Sequence, residues 1–264
     1  MVESRGLKRR LPAGIIDASF ASLATFAVGL AAVNLLADTE RGVYELFFTA
    51  FLLGGVLPRN LIFTPAEVDA VGFPLGMRIG LINRTLRLGA LPALVGLLSA
   101  LLAALVAAPL TTADVIIPFT LTAGIAGFLS PVQDHVRKML HIATRSWLAA
   151  TVSIAQFVVA VVAIFGMMSL DIEIAWIPFG ALSLANLTSL SLGWLLTRRF
   201  QHHSPEERSL RFASLARRGR WLVLQAAAPS LSAFLAATII TRLASPEALG
   251  FAGAARVVAQ PVLV

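Results

Sequence analysis

Residues 88–110 read LGALPALVGLLSALLAALVAAPL, a run of apolar and small side chains without one charge. About 20 predominantly apolar residues are enough for a helix to cross the hydrocarbon of a bilayer, so this stretch predicts a transmembrane span. Six more segments meet the same test, at residues 12–36, 43–63, 113–133, 147–168, 175–196 and 221–243, and an eighth begins near residue 248. The predicted fold class is therefore all-α, a polytopic transmembrane helix bundle. Composition agrees: 58% of the 264 residues are apolar and 13% are charged, against roughly 45–50% and about 25% in soluble domains. So much apolar surface needs lipid around it. Cysteine is absent, which excludes a disulfide framework and a thiolate metal site.

The net charge of +7 in a soluble chain would suggest nucleic acid, but here the cations are sorted by topology and no nucleic-acid partner is expected. All of the 21 Lys and Arg residues except Arg41, Arg242 and Arg256 fall in the N-terminal tail or in loops on its side. The turns of the opposite side hold Asp38, Glu40, Asp114, Asp171, Glu173 and Glu247. The positive-inside rule then predicts a cytoplasmic N-terminus in the cytoplasmic (inner) membrane. Two loops on the basic side carry apolar residues. Residues 64–84 include Phe73, Leu75, Met77, Ile79, Leu81 and Ile82, a pattern suited to the headgroup layer. Residues 201–220 contain His202 and His203, read as loop residues rather than metal ligands.

The chain repeats itself weakly. Residues 36–44, LADTERGVY, and 243–251, LASPEALGF, each close a small-residue-rich span with Leu-Ala, a turn containing Glu, and a Gly shortly before an aromatic ring. Gly42 matches Gly250 with one residue inserted. Both units enter the membrane from the same side, so the repeat is parallel, an arrangement in which a transport route runs between two halves. This divides the chain into a six-span bundle at residues 1–200, a basic linker at 201–220, and the start of a second bundle at 221–264. The apolar run at the C-terminus leads to the expectation that a longer protein, or a truncated product, lies behind this chain.

At these two turns the chain resembles the multidrug/oligosaccharidyl-lipid/polysaccharide flippase superfamily, and most of all its polysaccharide biosynthesis branch of O-antigen and exopolysaccharide translocases. Residues 243–251 are the closer likeness, with the aromatic one place early, and residues 36–44 the looser one. The resemblance implies alternating access between two bundles, a lipid-linked sugar as substrate, membrane lipids and polysaccharide-synthesis proteins as partners, and no cofactor. It leaves two other readings open: a cation-coupled multidrug exporter of the same superfamily, and a non-transporting component of a polysaccharide-synthesis complex.

Ionisable and polar groups within spans are costly and mark candidate sites. Arg256 lies about 12 Å into the eighth span at 1.5 Å per residue, where a guanidinium matches the oxygens of a pyrophosphate. Gln156 and Asn186 sit near mid-span and are candidates to line a substrate path. Asp17 and Arg59 lie at similar depth in the first and second spans and are expected to pair, as a structural ion pair or a gate. Pro92 and Pro229 are expected to bend their helices, and Gly96, Ala100, Ala104 and Ala108 to form a close-packing stripe. No Walker-type loop, His/Glu metal motif or placed carboxylate pair is present, so neither catalysis nor a metal is expected.

Overall fold

The computed structural model describes residues 2–198 and 210–259, with side chains from residue 11. Eleven α-helices follow one another there: α1 (Val2–Leu35), α2 (Asp38–Pro58), α3 (Thr64–Val71), α4 (Leu75–Arg78), α5 (Leu81–Ala93), α6 (Val95–Ala107), α7 (Ala113–Ile142), α8 (Ser146–Ser169), α9 (Ile177–Arg198), α10 (Phe212–Leu243) and α11 (Pro246–Ala259). Seven helical stretches are long and apolar enough to cross a membrane, so the chain is a multi-pass membrane protein of the all-α class. One face of the bundle gathers the start of α1 and the basic loops. The other gathers the acidic turns.

In lipid, helices do not associate to escape water; close van der Waals contact and interhelical hydrogen bonds hold them. The sequence supplies small residues where helices cross. A β-carbon at Gly96 of α6 would overlap the backbone of Gly127 in α7. The buried face of α6 runs Gly96, Ser99, Ala100, Ala103 and Ala107, mixing steps of three and four because a turn takes 3.6 residues. Ala108, expected in the stripe, has rotated onto the exposed side. The leucines opposite, Leu98, Leu101 and Leu105, are exposed, as a lipid-facing surface requires.

α2 and α7 form the centre, with α6 and α9 beside α7 and α1 against α8 and α9. An aromatic cluster fills the middle: Tyr44, Phe47, Phe119 and Phe179 are all within 1% of full burial, with the Tyr44 and Phe179 ring centres 5.0 Å apart. Between α2 and α3 the helix widens into a π-turn, Arg59–Phe63. Pro65 has no N–H to give to the carbonyl four residues back, which frees the local ladder to expand. At Pro92 the third span breaks into α5 and α6 around Leu94, whereas α10 runs unbroken through Pro229.

The stretch expected on the headgroups is part of the bundle. Ile79, Leu81 and Ile82 are buried with Ile62, Phe63, Val136 and Met139 in a core at the basic face, while Val68, Val71 and Leu75 remain exposed. Alternating apolar residues gave no sign of which side of a short helix would dock. Leu210 and Leu215 enter the same core; His202 and His203 lie outside the described residues. Trp147, Trp194 and Trp221, toward the basic face, are exposed, and Arg198 and Arg220 stack on Trp194 and Trp221 at 5.4 and 5.2 Å, as interfacial anchors do.

Candidate functional site: the seam between α2 and α11

α10 and α11 both pack on α2, α11 against its acidic-face half. α2 and α11 run parallel and in register. Thr39 hydrogen-bonds Glu247, 208 residues away, and the contacts at Gly42 with Gly250, Glu45 with Gly253 and Phe48 with Arg256 keep the same separation. Each step is three residues, so one face of α2 meets the matching face of α11. The glycines make this reciprocal. A β-carbon at Gly42 would overlap the carbonyl of Pro246, and one at Gly250 would lie 3.1 Å from the carbonyl oxygen of Asp38. Pro246 and Asp38 each stand four residues before the opposite glycine. This is the contact pattern of a two-fold axis running along the helices, here between two segments of one chain.

Glu45, 4% exposed, is the buried charge of the seam. Its carboxylate lies over Gly253, where any side chain would displace it, and accepts from Arg256 Nη2 at 2.9 and 3.2 Å. The guanidinium also lies 4.1 Å from the centre of the Phe48 ring, a cation–π contact. Arg256 was expected as a cation open to an anionic headgroup. It is instead a paired one, about a third exposed, and its partner Glu45 was missed although it stands within the second span. Beside it the Tyr44 hydroxyl is buried with no hydrogen-bond partner among the described residues. At the acidic-face end, outside the spans, the Thr39 hydroxyl donates to Glu247 and holds its carboxyl below the usual range, with help from its own backbone N–H and Ser245.

The other expected residues lie elsewhere. Asp17 does not pair with Arg59. It accepts from Ser153 Oγ at 2.5 Å, contacts His141 Nε2 at 2.8 Å and lies 3.8 Å from Arg137 Nε. Arg59 reaches Asp134 at 3.8 Å, and Asp134 also takes Arg137 at 2.7 Å and Lys138 at 3.0 Å. The two groups belong to one network, joined through Arg137 and Asp134. Depth along a helix gives a residue's height but not its direction, and α1 turns Asp17 toward α7 and α8. Gln156 and Asn186 do come together: Gln133 Nε2 donates to Gln156 Oε1 at 3.2 Å, and Gln156 Nε2 to Asn186 Oδ1 at 2.8 Å. This amide chain ties α7, α8 and α9 and is buried, with Asn186 Nδ2 unpartnered among the described residues. It is away from the seam.

Compared with models of known families, with curated proteins and with solved structures, the chain matches none. The chemistry at the seam therefore stands on its own residues. It offers an arginine whose partner is a carboxylate, and a phosphate oxygen could take that carboxylate's place.

Proposed function

We propose that the chain is a translocator of lipid-linked oligosaccharide or polysaccharide precursors, or the first bundle of one with the opening helices of the second. It would sit in the cytoplasmic membrane with its basic face inside. The observation that carries this reading is the in-register α2–α11 seam. It joins the two copies of the internal repeat about an axis along the helices, the plan of transporters that rock two halves around a substrate route. The flippase likeness at residues 36–44 and 243–251 supplies the substrate class.

In this mechanism the seam closes the outer side. Thr39 with Glu247 and Gly42 with Pro246 hold the ends together, and Glu45 occupies Arg256. A pyrophosphate-linked sugar arriving from the inside competes for the guanidinium, since arginine pairs with phosphate as readily as with carboxylate. Arg256 released from Glu45 loosens the contact, and the halves part outward. Lipid tails stay in the bilayer throughout.

The test is reconstitution of the full-length protein in vesicles containing a lipid-linked sugar on the inner leaflet. Appearance of the sugar outside, lost in Arg256→Ala protein that still reconstitutes folded, supports the reading; no movement by the parent overturns it. The hydrogen-bonded Asp17–His141 pair favours a second reading, a cation-coupled drug exporter. Dye efflux that depends on Asp17, without sugar movement, would select it.

A further inference from the structure

Toward the basic face, away from the seam, a second polar cluster is built around His135 of α7. Its ring is fully buried. Nδ1 lies 2.8 Å from Oε1 of Glu67 on α3, and Nε2 lies 2.7 Å from Oγ1 of Thr85 on α5. Phe63 of the π-turn stacks on the ring at 4.4 Å and 14°. Gly89 makes room for that stack, because a β-carbon there would overlap the Phe63 ring. Thr85 Oγ1 is also 3.0 Å from the carbonyl oxygens of Leu81 and Ile82.

These distances satisfy two protonation states equally well. With a neutral ring, Nδ1–H donates to Glu67, and Nε2 accepts the Thr85 hydroxyl. With a charged ring, Nδ1–H still donates to Glu67, Nε2–H donates to Thr85 Oγ1, and the hydroxyl turns to the carbonyl of Leu81 or Ile82. Neither state leaves a ring nitrogen or the hydroxyl without a partner, although an unmatched buried polar group would cost about 1–3 kcal/mol. A histidine kept for structure alone needs one of these arrangements. This site holds both.

We infer that His135, between Glu67 and Thr85, is a proton-binding site loaded from the basic face through Glu67. Glu67 is the exposed member of the cluster, with 13% of its side chain open against none for the ring. Loading converts the Glu67–His135 hydrogen bond into an ion pair and places the imidazolium against the Phe63 face, where a cation is favoured. α3 is then fastened more tightly to α7. The same short helix reaches α10 through Asp69 and Arg218, so the proton acts on the segment that connects the bundle to the second repeat.

Most of the neighbouring charges have partners of their own. On α7 itself Asp134 binds Arg137, Lys138 and Arg59 of the π-turn, and His141 binds Asp17 of α1. On α5, Arg84 donates to the carbonyl of Leu210, and Arg87 lies one turn on from it. On α4, Arg78 donates to the carbonyls of Phe73, Val71 and Ile142. α10 brings Arg217, Arg218 and Arg220, of which Arg218 binds Asp69. Among the described residues, Glu67 is the charged group in contact with the ring.

The inference does not depend on what the chain transports, and its test reads no transport. Of the four histidines, His141, His202 and His203 are replaced by Gln, leaving His135 in the otherwise full chain, 15N-labelled and held in lipid nanodiscs. Its two ring-nitrogen resonances are followed by NMR across about pH 5 to 8, the range in which an imidazole ordinarily titrates. The expected result is a reversible shift of both nitrogens to the protonated position. Glu67→Gln, which removes the ion pair of the charged ring, moves the midpoint about one pH unit lower, a tenfold loss of proton affinity, whereas Thr85→Val, which takes a partner from both states, moves it less. A ring that keeps one neutral tautomer over the whole range overturns the inference, as does a midpoint unmoved by Glu67→Gln.

Discussion

Arg256 and Glu45 meet across the α2–α11 seam with Nη2 at 2.9 Å from Oε1, and the two ends of this pair differ in exposure. Glu45 has 5% of its side chain open and Arg256 has 37%. Removing the cation therefore strands a carboxylate that water reaches poorly, whereas removing the carboxylate leaves a guanidinium with access to solvent and to Phe48. Arg256→Ala is expected to destabilise the protein by about 1–3 kcal/mol, less than breaking a fully buried pair because water reaches the guanidinium. Glu45→Gln is expected to cost less, and Glu45→Gln with Arg256→Gln to recover part of the loss. Thermal unfolding in detergent, analysed as a double-mutant cycle, measures all three.

The glycines of the seam give a second prediction. Gly42→Ala puts a methyl group into the backbone of Pro246 and is expected to cost about 1–3 kcal/mol, as overpacking does. Gly55→Ala, on the same helix with open space at its β-carbon, is expected to be neutral or to stabilise by up to about 1 kcal/mol, the difference in helix propensity. Equal losses at both positions, measured by thermal unfolding, would contradict the close approach of α2 and α11.

Asp17 and Arg59 separate in the same kind of experiment. Asp17→Asn removes the charge that Ser153, His141 and Arg137 share, and is expected to cost about 1.5–3 kcal/mol, the worth of a hydrogen bond to a charged group. Arg59 is nearly half exposed and 3.8 Å from Asp134, so Arg59→Ala is expected to cost under about 1 kcal/mol. Comparable losses would restore the direct pairing that depth alone suggested.

For the buried amide chain the expected effect is small. Interhelical hydrogen bonds of this kind average about 0.6 kcal/mol, and Asn186 already leaves Nδ2 unpartnered among the described residues. Asn186→Ala should change stability by less than about 1 kcal/mol. If that variant translocates substrate as the parent does, the amides of Gln156 and Asn186 serve packing and not passage.

The spans were legible because their signal is length and apolarity, which survive without tertiary information. Gly42 and Gly250 were legible as a repeat, and they turned out to face each other in one seam. Aligned from Leu36 and Leu243, the two turns would set Glu40 against Glu247, one residue off the packed register, in which Thr39 meets Glu247. Partners within the bundle were not legible, since Asp17 and Arg59 share a height but point to different neighbours. Glu45 was missed because it lies in a span otherwise counted as apolar. The run Asp134, His135, Arg137 and Lys138 at the end of the fourth span was the available signal for the basic-face cluster. Its partners Glu67 and Thr85 are brought there by the fold of α3 and α5, which no local pattern announces.

A lock can be placed in the seam through a pair of introduced cysteines, since this chain contributes none of its own. Thr39→Cys with Glu247→Cys, joined by a short cleavable bis-thiol reagent, ties the acidic-face ends of α2 and α11 in the full-length protein reconstituted with lipid-linked sugar. Translocation that stops when the link is made and resumes when it is cut is the result expected of a seam that must open. Translocation continuing at the same rate with the link intact would contradict it.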